Sequence, residues 1–209
     1  MMSTATTAGM PERDLVFHAA AIKRHAPLAA IAHLAGVPEA RAQAVLEQAV
    51  AGGRAMEAKG AFALTPLAGV ALQARYTRYF THLRADEGFV AAYEGFERIN
   101  RTLKQIITDW QTLDVGGAKV ANDHSDKAHD AAVIDRLGSL HEQAEGILGR
   151  LAAKLPRLKY YADKLLAALE AAEDGEAEWV SDIRRDSYHT VWFELHEELL
   201  RIMGREREE

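Results

Sequence analysis

The sequence contains no cysteine. That excludes a disulfide framework and any thiolate metal site, and it fits a reducing cytoplasm. Aromatic residues make up only 7% of the chain, and prolines number five. Runs of valine, isoleucine and threonine are nearly lacking, which argues against a large sheet. The opening ten residues, MMSTATTAGM, hold neither a basic nor an apolar stretch. No secretory signal is expected there, and residues 1–10 read as a disordered start. No apolar run approaches the roughly 20 residues that span a bilayer, so no membrane partner is expected. Catalytic signatures are missing as well: there is no G-x-S-x-G, no Gly-rich phosphate loop and no H-E-x-x-H. The expectation is a cytoplasmic protein that is not an enzyme and carries no cofactor.

What is present is alanine in abundance, and alanine is the best helix former. A chain of 209 residues, 48% hydrophobic and 27% charged, has the make-up of a soluble globular protein with one large or two small domains. The net charge of −6 is unevenly placed. Residues 1–85 hold nine Lys/Arg and five Asp/Glu, a balance of +4, while the rest holds 16 and 26, a balance of −10. The first part can approach phosphate and the second cannot.

Within residues 11–85 three short helical segments are expected: Asp14 to about His25, Leu28 to Ala35, and Glu39 to about Val50. Gly36 ends the second as a left-handed residue would, Pro38 opens the third, and Gly52-Gly53 closes it. Ile31, Ala35, Val37, Ala42 and Val45 fall at the apolar positions of a helix-turn-helix, with small Ala32 at the close crossing and Gly36 at the sharp turn. RAMEAKGAFAL, residues 54–64, reads as two strands around Ala58-Lys59-Gly60, a wing. Thr65 as N-cap and Pro66 in the first turn then open a helix to about Phe80.

These residues carry a resemblance. LAAIAHLAGVPEARAQAVLEQAV, the wing and LTPLAG make residues 28–72 similar to the winged-helix domains of MarR- and PadR-like transcriptional regulators. LTPLAG matches the L-T-P-x-G that closes the wing there, with one extra residue before the glycine. The resemblance implies a third helix in the DNA major groove and a wing on the backbone. By position, Glu39, Arg41, Gln43 and Glu47 face the bases, and Lys59 and Arg54 serve the wing. Arg41 suits a guanine and Gln43 an adenine. Such helices usually carry more Arg, Lys, Ser and Thr than this one, so weak, salt-sensitive binding is expected.

Residues 86–204 read as a helical bundle that serves for dimerisation or effector sensing, followed by a charged tail at 205–209. Helices are expected over Asp86 to about Leu113, Lys127 to Lys154, Arg157 to Glu173 and Ser187 to about Gly204, with a loop at 114–130 and a short turn at 176–182. Ser125 or Asp126 is a candidate cap. The overall fold class is mainly α, a winged helix-turn-helix with a small β-wing followed by an antiparallel bundle. NDHSDKAHDAAVIDRL and DSYHTVWFELHEELL are similar to segments of uncharacterised bacterial helical proteins, and this resemblance implies a link to phosphotransfer enzymes that use phosphoenolpyruvate.

Two further groups have ligand chemistry. Tyr161, Tyr188, Trp192 and Glu194 could line a pocket for a small-molecule effector; aromatic stripes at helical spacing more often fill a core. His124, Asp126, His129 and Asp130 offer metal-type ligands. His129 and His141, like His189 and His196, lie too far apart along a helix to chelate one ion as pairs, so surface and capping roles are favoured and no metal site is assigned. The leading expectation is a homodimeric regulator that binds double-stranded DNA. The alternatives are an accessory protein whose winged helix is a docking module, and a metal-dependent helical enzyme.

Overall fold

The computed structural model describes residues 9–207. The chain is mainly helical, with two small antiparallel sheets. It divides into two compact units, Met1–Ala85 with Glu197–Glu209, and Asp86–His196. The first of these divisions falls between Ala85 and Asp86. At the other end, residues 197–204, read from the sequence as the close of the bundle, group with the first unit. The expected disordered start, for residues 1–8, and the end of the charged tail, residues 208–209, lie outside the described residues. Among the described residues no helix is long and apolar enough to cross a membrane.

The first unit opens with α1 (Glu12–Lys23), a helix of 12 residues with Pro11 at its cap position. A two-residue strand β1 (Ala26–Pro27) leads into α2 (Leu28–Ala35) and α3 (Glu39–Ala51). Gly36 joins those helices at φ +67°, where only glycine is unstrained. The Gly36 N–H donates to the His33 carbonyl and the Val37 N–H to the Ala32 carbonyl, which satisfies the open end of α2. Ile31 and Ala32 of α2 and Ala42, Leu46 and Ala49 of α3 are buried. Strands β2 (Ala55–Ala58) and β3 (Ala61–Leu64) form the hairpin, and the sheet order is β1-β3-β2 with Ala26 opposite Phe62 and Ala55 opposite Leu64.

α4 (Pro66–Arg84) runs four residues beyond the expected end at Phe80. Thr65 precedes it without making a side-chain cap. Its hydroxyl instead donates to the Gly53 and Arg54 carbonyls, both at 3.2 Å, and so ties the start of α4 to the end of α3. Asp14 on α1 is buried and accepts from Arg75 and Tyr79 of α4. Burial alone would raise its carboxyl, but hydrogen bonds from Tyr79, Arg13 and Arg75 outweigh that and hold it below the ordinary range. The last turns of α9 (Tyr188–Met203) complete the unit. There the buried Glu198 carboxylate faces His18 Nε2 at 3.4 Å, and His18 Nδ1 lies 2.9 Å from the Tyr76 hydroxyl.

The second unit is built on α5 (Glu87–Gln111) and α6 (Lys127–Lys154). Asp86 caps α5 by accepting from the Phe89 N–H at 2.8 Å, and Lys154 at the end of α6 donates to the same carboxylate at 2.6 Å. The end of one helix therefore lies beside the start of the other, an antiparallel pair. Asp126 caps α6, one of the two expected cap residues. A single 3-10 turn (Pro156–Leu158), α7 (Lys159–Glu173) and the one-turn α8 (Glu178–Ser181) follow. The expected loop at 114–130 is in part a hairpin, β4 (Thr112–Val115) with β5 (Ala118–Ala121), closed by Gly116 and Gly117 at φ +63° and +85°. Those two positive φ values are what a tight hairpin turn demands. Both strands are largely exposed, so no apolar alternation marked them in the sequence.

Candidate nucleic-acid interface

The residues assigned to DNA lie on α3, on the β2–β3 hairpin and, for Arg54, in the link between them, and all are exposed. They do not form one face. At 3.6 residues per turn, buried Ala42, Leu46 and Ala49 define the inner stripe of α3. Gln43 and Glu47 fall on one flank of that stripe, and Arg41 falls on the other, roughly 160° around the helix from Gln43. The outward centre between them carries Ala40, Ala44 and Ala51, all exposed. A surface of methyl groups permits close approach of a groove but supplies no donors to read it.

Both potential base readers have partners within the chain. Arg41 Nε and Nη2 each lie 3.1 Å from Glu12 Oε1 on α1. Gln43 donates to Glu47 at 2.7 Å, one turn along α3. The Arg41–Glu12 pair is largely in solvent, with side chains 67% and 36% exposed. Such pairs are worth about 0.2–1 kcal/mol, whereas a bidentate arginine–guanine contact is worth about 1–3 kcal/mol. The internal partner therefore weakens a base contact by Arg41 without forbidding it.

Lys59 sits at the tip of the β2–β3 hairpin with φ +54°, next to Gly60 at +78°. Two positive φ values again fit a two-residue hairpin turn, here with a lysine in a conformation that costs a non-glycine residue about 1 kcal/mol or more. Arg54 does not reach that tip. Its guanidinium lies back over the end of α3, so close that a Cβ on Gly52 would stand 3.3 Å from Nη2. Glu39 occupies the first turn of α3, where its charge meets the positive end of the helix dipole.

The residues assigned to an effector are elsewhere and packed. Tyr161, Tyr188, Trp192 and Glu194 are all buried in the second unit. The Trp192 ring stacks on Phe96 at 4.7 Å and on Tyr188 at 5.9 Å, and its Nε1–H donates to the buried Asn100 at 3.0 Å. The Tyr188 hydroxyl meets His141 Nδ1 at 3.2 Å. Burial pushes the Tyr188 hydroxyl far above the usual phenol range. The cavities between α4 and the end of α9 and beside Thr65 and Pro66, both in the first unit, are lined by none of these four residues.

The candidate metal ligands separate. Asp126 is spent on capping α6, and His129 Nε2 meets the Asp109 carbonyl at 2.9 Å. His124 Nδ1 pairs with Asp130 at 3.0 Å while Asn122 donates to the same carboxylate, and the His124 ring packs on Trp110. This network locks the chain where β5 turns into α6. His196 pairs with Glu97 at 2.9 Å. Among the described residues no group of three or more His, Asp or Glu side chains is gathered to hold a metal ion. What the sequence left unread is the buried His18–Tyr76–Glu198 group, whose members are 58 and 122 residues apart in the chain. Comparison with protein-family models, with curated proteins and with solved structures finds no match for this chain.

Proposed function

We propose that the chain is a DNA-binding transcriptional regulator of the winged helix-turn-helix kind, acting as a homodimer. The observation that carries the reading is the sharp α2–α3 turn at Gly36, which leaves α3 exposed beside a hairpin whose tip bears Lys59. An exposed second helix after a left-handed turn, followed by a hairpin, has the order and chemistry of a helix for the major groove and a wing for the backbone. The positive balance of residues 1–85 supports the same reading. With alanines at the outward centre of α3, recognition rests on close fit and phosphate contacts more than on base-edge hydrogen bonds. Dimerisation doubles a contact set that is lean in one copy.

Selection from a random duplex library at low and moderate salt tests this. A palindromic motif is expected. If Arg41, Arg54 and Lys59 each meet a phosphate, six contacts per dimer give a slope of log affinity against log salt of about −5. Lack of enrichment at low salt would refute the reading.

A second reading has its own support. The small apolar centre of α3 and the internal partners of Arg41 and Gln43 suit a docking surface for another protein. Under that reading Arg41→Ala leaves DNA affinity untouched. Under the first it weakens binding by about 1–3 kcal/mol if Arg41 reads a base.

A further inference from the structure

A cavity of the first unit lies between α4 and the last turns of α9 and has a volume of about 420 Å³. That is within the size range of small-molecule sites, roughly 300–1,000 Å³. Its wall is dominated by charge: Arg84, Arg201, Arg205 and Arg207 against Glu197 and Glu206. Four guanidinium groups and two carboxylates leave an excess of two positive charges. Guanidinium forks hold carboxylate and phosphate oxygens two at a time.

The wall is built rather than incidental. Arg84 Nε donates to the Ile202 carbonyl at 2.6 Å and Nη2 to the Arg201 carbonyl at 3.3 Å, so it is fixed at the carboxyl end of α9. Gly204, at φ +67°, makes room for it: a Cβ there would stand 3.0 Å from the Arg84 guanidinium carbon and both its terminal nitrogens. Arg201 holds Glu197 through two nitrogens, at 2.9 and 2.8 Å, and Arg207 approaches the other oxygen of that carboxylate at 3.6 Å. Glu197 thus already marks where an oxyanion sits among the arginines.

We propose that this cavity binds a small polyanionic effector, a molecule carrying two or more carboxylate or phosphate groups. Its volume exceeds what a single inorganic ion fills, so the ligand has a body beyond its anionic end. Thr77 and Gln73 on the α4 wall supply neutral hydrogen-bonding groups for that body. Gln73 and Arg201 also line the second cavity, of about 360 Å³, which borders Thr65 and Pro66 where β3 enters α4. An occupant therefore touches two side chains whose other side faces the root of the hairpin. That consequence for DNA rests on the regulator reading; the binding itself does not.

Titration calorimetry and thermal unfolding of the full chain test the site with three probes: citrate, 3-phosphoglycerate and inorganic phosphate, each against sodium chloride at equal ionic strength. At least one polyanion is expected to bind with Kd of about 1 mM or tighter and to raise Tm. Citrate alone assigns a polycarboxylate, 3-phosphoglycerate alone a phosphate ester, and inorganic phosphate alone overturns the proposal of a larger ligand. Arg205→Gln with Arg207→Gln is expected to weaken binding about tenfold or more. Glu197→Gln, which removes one negative charge from the wall, is expected to tighten it. In the unsubstituted chain the Gly204 amide resonance is expected to shift on titration, which reads the site without relying on a variant's folding. Binding by no probe, binding unchanged by the arginine variant, or an unmoved Gly204 resonance overturns the proposal. A chain that binds citrate and no DNA keeps the site and loses the regulator reading.

Discussion

Cutting the chain after Ala85 should leave a first unit that does not hold its fold. The cut removes residues 197–207, and with them Glu198, whose fully buried carboxylate faces His18. It also removes the carbonyls of Arg201 and Ile202 that receive Arg84, and the Leu200 side chain that shares a cavity wall with Tyr76. Taking the partner from a buried polar group costs about 1–3 kcal/mol. Losing the burial of a leucine costs about 1.5–3 kcal/mol. Together these reach roughly 2.5–6 kcal/mol, against about 5 kcal/mol, the low end of the usual range, for a domain this small. Fragment 1–85 should therefore give no cooperative urea transition by circular dichroism and poor dispersion of amide resonances. Joining residues 197–207 back through a flexible linker should restore both. If the bare fragment unfolds at the same urea concentration as the rejoined one, the last turns of α9 add nothing to this core and the reasoning is refuted.

On the proposed regulator reading, Glu12→Gln should tighten DNA binding, because it releases Arg41 and removes a negative charge from beside it; the exposed pair sets the gain at about 1.4- to 5-fold, and unchanged or weaker affinity in a fluorescence-anisotropy titration would count against it. Gly36→Ala should cost about 1–2 kcal/mol from left-handed strain alone, since no atom lies within 4 Å of the added Cβ, and Gly36→Asn should cost less; equal urea midpoints for all three proteins would contradict that. Burial lowers the imidazoles of His141 and His189 in the second unit, with Glu145, Glu173 and Glu170 pulling His141 the other way. The unfolded chain then binds more protons than the folded one just below the ordinary value of 6.5. The stability this adds is complete above pH 6.5 and drains away as pH falls toward the folded values. The urea midpoint of the second unit should be lower at pH 5.5 than at 7.5, and His141→Phe should flatten the dependence; a pH-independent midpoint would be the contrary result.

Local chemistry was legible in the sequence where a single residue decided the backbone. Gly36 at a left-handed turn, Lys59-Gly60 in a hairpin, Asp126 as a cap and the bounds of α6 all follow from side chains acting within a few residues. The β4–β5 hairpin was not legible, because its strands bury neither face and so carry no period-two pattern. The interface was legible only as a list. Exposure of Glu39, Arg41 and Gln43 follows from spacing, but the Arg41–Glu12 pair joins two helices 29 residues apart and no local pattern announces it. The arginine-lined cavity has no local signal for the same reason: Arg84 and Arg201 are 117 residues apart and meet only where α4 packs on the end of α9. The aromatic stripe read more readily as core than as pocket, and the rings of Phe96 and Tyr188 stacked on Trp192 fill the space there.

The split of the first unit across the chain also sets an order of events during synthesis. Residues 1–85 emerge first but wait for residues 197–207. At about 5–20 residues per second, the 112 positions from 85 to 197 take roughly 6–22 seconds to translate. In that interval Asp86–His196 can collapse on its own contacts, while the earlier segment stands with His18, Tyr76 and Arg84 still lacking the turns that cover them. Of the first unit, the part made earlier is finished last, and it stays open to chaperones and proteases until residues 197–207 arrive.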